Sequence, residues 1–132
     1  MAKLTEKAIT LITQPNFAYF ATVKADGSPH VSPVWIDVSD DKILVNTALG
    51  RVKEQNVRRD PRVAISVGDK DNQYDKVDIS GRVVAFIEGE EADQSIDSLA
   101  KKYLGVDEYP YRKPGEQRLI LVIEPLSVSE VA

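Results

Sequence analysis

The stretch Asp26-Gly27-Ser28-Pro29-His30-Val31-Ser32-Pro33-Val34-Trp35-Ile36, then Lys42-Ile43-Leu44-Val45-Asn46-Thr47, then Ala48-Leu49-Gly50-Arg51-Val52-Lys53-Glu54-Gln55-Asn56-Val57-Arg58-Arg59-Asp60-Pro61-Arg62, decides how the chain folds. It reads as strand, turn, strand and short basic helix. Asp26-Gly27 marks a turn, because glycine tolerates positive φ and aspartate bonds its own backbone locally. Val34, Ile36 and Val38 alternate toward one side of the strand that follows. Asp40-Asp41 makes the next turn, and Ile43 to Thr47 is apolar and β-branched enough for another strand. That strand ends at Gly50, with Arg51 and Lys53 close behind. A glycine turn, free N–H groups at a helix start and two cations are the parts an anion site needs.

Outward from this unit, the pattern predicts an amphipathic helix over residues 4–14, from Leu4, Ala8, Leu11 and Ile12 at helical spacing. Thr5 is its N-cap, and Pro15 ends it by restricting Gln14. Phe17 to Lys24 forms the first strand, with Phe17, Tyr19, Ala21 and Val23 on one face. Downstream, Arg62–Gly68 and Tyr74–Ile87 are strands, the latter with Val77, Ile79, Val83, Ala85 and Ile87 alternating. Gly81 inside it signals a bulge or a sharp barrel bend. Glu90 to Leu104 is a helix with an acidic start and a basic end, stopped by Gly105. Tyr109-Pro110-Tyr111-Arg112-Lys113-Pro114-Gly115 is an aromatic, basic loop, and Arg118 to Glu124 a nearly continuous apolar strand. Six strands with flanking helices predict a mainly β fold: an antiparallel sheet closed into a barrel, which also removes exposed edges.

Composition limits the function. A chain of 132 residues is expected to be a single domain, 1–132, able to bury a core without staples. Without cysteine there is no disulfide framework, thiolate nucleophile or cysteine metal site, which suits a cytoplasmic location. No signal peptide and no membrane span are expected. A net charge of −4 argues against sequence-independent nucleic-acid binding. Yet Arg51, Lys53, Arg58, Arg59 and Arg62 crowd one short stretch, and a local cationic excess on an acidic background suits a small anionic ligand.

Several residues carry two readings. Arg51 and Lys53 form either a solvated helix face or an anion grip. Trp35, the only tryptophan, is core filler or a ring-stacking surface. Tyr74, Tyr109, Tyr111 and Arg112 pack a loop or rim a planar ligand. His30 is the only histidine, and no spacing offers a metal site. Dinucleotide, Walker and Ser-His-Asp patterns are absent.

Thr22-Val23-Lys24-Ala25 with the Asp26–Trp35 stretch, Asn56-Val57-Arg58-Arg59-Asp60-Pro61-Arg62-Val63-Ala64, Gly81-Arg82-Val83 and Tyr109–Glu116 together resemble the pyridoxamine 5′-phosphate oxidase-like superfamily, and within it the small deazaflavin-dependent branch. The resemblance covers nearly the whole chain. It implies a six-stranded split β-barrel homodimer with two equivalent cofactor sites at the interface. It carries over Ser32, Pro33, Val34, Trp35 and Ile36 as the strand beside the isoalloxazine-type ring, and Asn46, Thr47 and Ala48 as a second wall. Arg51 and Lys53 match the phosphate grip, Tyr74 and Lys76 reach the cofactor from the long strand, and Arg112 matches a loop residue near the site. The true pyridoxamine phosphate oxidases carry an Arg and a Lys on the strand that here shows Ser32 and Asp37. The Pro-Val-Trp and Tyr-Pro-Tyr-Arg pieces are similar instead to enzymes using coenzyme F420.

The implied function is an F420-dependent oxidoreductase passing a hydride to an unsaturated or quinone-like small organic acceptor. No dedicated catalytic triad is expected, because the cofactor carries the chemistry. An FMN-binding enzyme such as a flavin reductase, and a non-catalytic flavin-binding protein, are the alternatives.

Overall fold

The computed structural model describes residues 2–131. Strands β1 (Ala18–Val23), β2 (Pro29–Val34), β3 (Ile36–Ser39), β4 (Lys42–Ala48), β5 (Arg62–Asp69), β6 (Asn72–Glu88) and β7 (Arg118–Val131) form one antiparallel sheet in the order β2-β1-β5-β6-β7-β4-β3. Helices α1 (Glu6–Thr13), α2 (Val52–Arg59) and α3 (Glu90–Leu104) flank it. The two edge strands, β2 and β3, are consecutive in the chain and separated only by Trp35. A seven-stranded sheet whose opposite edges are one residue apart must curl, and this one is a half-barrel.

The expectation of six strands is corrected to seven at this point. Val34 and Ile36 are both buried, so the alternation runs unbroken through Trp35. The pairing does not: Val34 faces Ala18 of β1, whereas Ile36 faces Val45 of β4. One apparent strand therefore serves two strands at opposite ends of the sheet.

The core fills the inside of the curl with Phe20, Ile36, Ile43, Ile79, Leu119, Leu121 and Ile123, closed at one end by Ala8, Leu11 and Ile12 of α1. Capping matches the sequence: the Thr5 hydroxyl accepts from the Ala8 N–H at 3.1 Å. On β1 the inward residues are Ala18, Phe20 and Thr22, which leaves Phe17 and Tyr19 about half exposed on the outer surface. Gly81 sits at a register shift between β6 and β7. A Cβ there would lie 2.7 Å from the Glu124 carbonyl oxygen and 2.9 Å from Ile123 Cγ2. A second shift, between Val83 and Ala85, reverses the alternation, so Phe86 packs on the core and Ala85 is exposed.

Helix α3 fixes the changeover at Trp35. The Tyr103 hydroxyl donates to the Asn16 carbonyl at 2.7 Å and accepts from the Ile36 N–H at 3.2 Å. The Lys102 ammonium donates to the Ile36 carbonyl at 2.7 Å and to the Ile12 carbonyl. Backbone groups at a sheet edge thereby gain partners that no strand supplies. Burial holds the Tyr103 phenol up at about 12, so it stays a neutral donor.

Candidate functional site

An open cleft of about 180 Å³ lies where β2 hands over to β3, beside the ends of β4 and the start of β7. Pro33, Val34 and Trp35 form one wall, and Asn46 and Thr47 the second. Tyr109 and Tyr111 cover it from the loop after α3. Arg51, Lys53 and Arg118 supply its charge, while Phe17 and Ile96 add apolar surface.

The aromatic wall is built rather than incidental. The Trp35 ring stacks on Tyr103 at 5.2 Å with 5° between planes, and meets Tyr109 edge-on at 5.9 Å. Tyr109 in turn meets Tyr111 edge-on at 5.8 Å, and the Arg118 guanidinium lies 5.2 Å from the Tyr109 ring centre. Stacked, edge-on and cation–π contacts each fix a ring's orientation. The result is a set of rigid planar faces, suited to a planar conjugated ligand.

The cationic end begins at Gly50, whose φ of +89° makes the turn from β4 into α2. Sequence reading expects open N–H groups at this helix start. One residue before the N-cap Arg51, the Gly50 N–H donates to Glu54 Oε1 at 2.8 Å, and the same carboxylate accepts from Arg58 Nε at 2.6 Å. Among the described residues, the N-cap Arg51 makes no side-chain cap hydrogen bond, so the helix start keeps open N–H groups next to the side-chain cations, as the sequence predicts.

Those cations are unequally paired. Arg118 is buried: its Nε donates to Asn46 Oδ1 at 2.9 Å and its Nη1 to Glu116 Oε1 at 3.0 Å. Among the described residues, the Arg51 guanidinium has only Glu116 Oε2, 3.7 Å away. Among the described residues, the Lys53 ammonium has no hydrogen-bond or ion-pair partner. It is held below the ordinary lysine value first by desolvation, then by Arg51 and Arg118. A half-buried lysine beside two arginines, with no acid of its own, is stabilised by an incoming anion. Thr47 adds a buried hydroxyl oxygen with no protein partner at the same cleft. Among the described residues, no group of three His, Asp or Glu side chains is arranged to hold a metal ion.

Of the residues singled out from sequence, Pro33, Val34, Trp35, Asn46, Thr47, Arg51 and Lys53 converge on this cleft. Ile36 is fully buried in the core, and Ala48 is buried behind the wall. Ser32 lies on β2, its hydroxyl buried without a partner, outside the cleft lining. Tyr74 is 83% exposed on β6, and Lys76 is paired with Asp78; neither lines the cleft of its own chain. Arg112 is bonded to Asp97 at 2.7 Å and lies 3.5 Å from Asp93, next to the aromatic cover. Sequence reading missed Arg118 as a site residue. Its signal is an arginine opening an otherwise apolar strand, and its meaning depends on Asn46, 72 positions away.

A curled antiparallel sheet with an aromatic and cationic cleft at its edge changeover defines a fold class that comparison then specifies. The chain belongs to the pyridoxamine 5′-phosphate oxidase family, whose model matches residues 4–132. Among solved structures it is similar to an F420 reductase, at 26% identity and a TM-score of 0.81, covering 96% of this chain and 98% of the other. It shares its fold with general stress protein 26 of Bacillus anthracis (20% identity, TM-score 0.71, covering 96% and 92%). It also shares it with HupZ of Group A Streptococcus (19% identity, TM-score 0.63, covering 98% of each chain). Among the described residues, no helix is long and apolar enough to cross a membrane.

Proposed function

We propose that this chain is an F420-dependent oxidoreductase that reduces an unsaturated or quinone-like organic acceptor. The observation that carries the reading is Lys53, unpaired between Arg51 and Arg118 at one end of a cleft walled by Trp35 and Tyr109. A planar ring and a phosphate on one ligand use both features. The likeness to an F420 reductase supports the deazaflavin over other flavins.

The residues fit such a group. Lys53 and Arg51 would hold the phosphate, while Trp35 and Pro33 would lie along the ring. The Thr47 hydroxyl, which lacks a protein partner, would bond a polar edge. When bound, a reduced deazaflavin supplies a hydride to an electrophilic carbon or quinone. The protein's part is orientation and exclusion of water: Tyr109 and Tyr111 shield one side, and the rigid Trp35–Tyr103 stack fixes the plane. Neutral Tyr103 holds the wall from behind and is bonded on both sides, so it is not a proton donor to the cleft.

A cleft of about 180 Å³ is smaller than the roughly 300 Å³ at which small-molecule sites begin. We read it as half of a site that a second copy completes. Tyr74 and Lys76, outside their own chain's cleft, are the strand residues such a copy would offer. Phe17, Tyr19 and Val31, apolar and about half exposed or more on the outer sheet face, supply the contact surface.

FMN in the same cleft is the second reading, favoured by one observation. Arg58, Arg59, Lys76 and Arg112, the cations available for a polyglutamate tail, are each bonded within their own chain and none lines the cleft. Turnover decides between them. Purified protein should oxidise reduced F420 when a quinone is added, and should do so faster than it oxidises reduced FMN. Faster oxidation of FMN transfers the assignment to FMN, and binding without turnover of either leaves a flavin carrier.

A further inference from the structure

The Glu116 carboxylate is divided between two arginines. Oε1 accepts a 3.0 Å hydrogen bond from Arg118, whereas Oε2 stops 3.7 Å short of Arg51, beyond hydrogen-bonding distance. Burial is divided the same way. The side chains of Glu116 and Arg118 are 8% and 4% exposed, that of Arg51 45%. The carboxylate is held inward by its bond to the buried Arg118, and the backbone that carries it is fixed on both sides. Its own N–H bonds the Lys113 carbonyl at 3.1 Å, and the next carbonyl, of Gln117, accepts from Leu49 at 2.9 Å. Arg118 is equally fixed, by Asn46 and the Tyr109 ring. Arg51 is therefore the one cation of the cleft that is both exposed and loosely paired.

We infer that Glu116 is a specificity-determining residue: a counter-anion set outside the cleft lining against two of its arginines, for which a ligand's phosphate competes at Arg51. This rests on the reading of the cleft as a site for a phosphorylated flavin or deazaflavin. Glu116 keeps Arg118 neutralised when no ligand is bound. It also opposes a phosphate placed between Arg51 and Lys53, by repulsion at short range and by lowering the net positive charge there. Its charge thus limits how strongly the protein prefers a phosphorylated ligand over its unphosphorylated counterpart. Glutamine at this position keeps the shape and one acceptor oxygen but removes the competing charge.

The test compares FMN with riboflavin, which differ only in the phosphate. Trp35 is the sole tryptophan and lines the cleft, so its fluorescence reports binding directly. Glu116→Gln should bind FMN about tenfold more tightly than the unaltered protein and riboflavin equally well, a change on the scale of one charged contact. An unchanged or smaller preference for FMN over riboflavin overturns the inference, because Glu116 would then only organise the arginines. Should Glu116→Gln fail to fold, Glu116→Asp, which keeps the charge but shortens its reach toward Arg51, should raise the preference for FMN over riboflavin; an unchanged or smaller preference refutes the inference. If neither FMN nor F420 quenches Trp35 in the unaltered protein, the flavin reading falls by itself. Inorganic pyrophosphate then decides the Glu116 inference: greater thermal stabilisation of Glu116→Gln than of the unaltered protein upholds it, and equal or lesser stabilisation overturns it.

Discussion

Lys53 and Arg58 stand five positions apart on the same short helix and have opposite roles. Among the described residues Lys53 is a cation without a partner; Arg58 bonds Glu54 at 2.6 Å and lies 3.9 Å from the Phe86 ring centre. Lys53→Ala should therefore weaken binding of a phosphorylated flavin by about 1–3 kcal/mol and leave the melting temperature unchanged or raised. Arg58→Ala should do the reverse, lowering stability by about 1 kcal/mol with a smaller loss of affinity. Calorimetry and thermal melts on the two variants separate these outcomes. Glu54 adds a pH dependence. Arg58 first, then the Gly50 N–H, hold its carboxyl below the ordinary 4.5. A folded pKa below the unfolded one gives stability that is complete above the unfolded value and lost as pH falls through the folded one. Melts between about pH 6 and pH 3 should show the unaltered protein losing more stability than Glu54→Gln. The cationic end of the cleft was legible in sequence because Gly50, Arg51 and Lys53 are neighbours. The Arg118–Glu116–Asn46 set was not, because its members meet only when β4 and β7 pair.

Elements were read best where one local rule decides them. The α3 helix runs from Glu90 to Leu104 with Gly105 in the left-handed region, as its acidic start, basic end and glycine stop predict. The β2–β3 division was not legible, since a period of two says which face a residue takes but not which strand it pairs with. Val34 and Ile36 satisfy one face while belonging to opposite edges. The second β6 bulge escaped for a related reason: Val83-Val84-Ala85-Phe86-Ile87 is apolar at both parities. Gly81 did announce the first bulge, and its contacts make it a sharp test. Gly81→Ala forces a methyl against the Glu124 backbone oxygen and Ile123, which should destabilise the fold by about 1–3 kcal/mol in urea unfolding. An unchanged midpoint would mean that the β6–β7 approach is looser than 2.7 Å implies.

At the scale of the whole molecule, the outer face of β1 and β2 carries Phe17, Tyr19 and Val31, and the cleft beside it, at about 180 Å³, falls below the roughly 300 Å³ usual for a small-molecule site. Both features are resolved by a second copy on that face, which predicts a homodimer burying more than about 2,000 Å². Light scattering at micromolar concentration should give twice the chain mass; a folded monomer would remove the second half of the proposed site. The resemblance read from sequence reached the family, while Tyr74 and Lys76, which it also named, do not line the cleft of their own chain, because the period-two pattern of β6 does not say what lies opposite its outer face. The central claim is that the Trp35–Lys53 cleft binds a phosphorylated flavin-type cofactor, with F420 preferred. Its most direct test is titration of Trp35 fluorescence with F420 and with FMN at two salt concentrations. Saturable quenching by both is expected, tighter for F420, with a gap that narrows as salt screens tail contacts beyond about 8–10 Å. Quenching by neither ligand would contradict the cleft assignment, and FMN binding as tightly as F420 at low salt would contradict the deazaflavin preference.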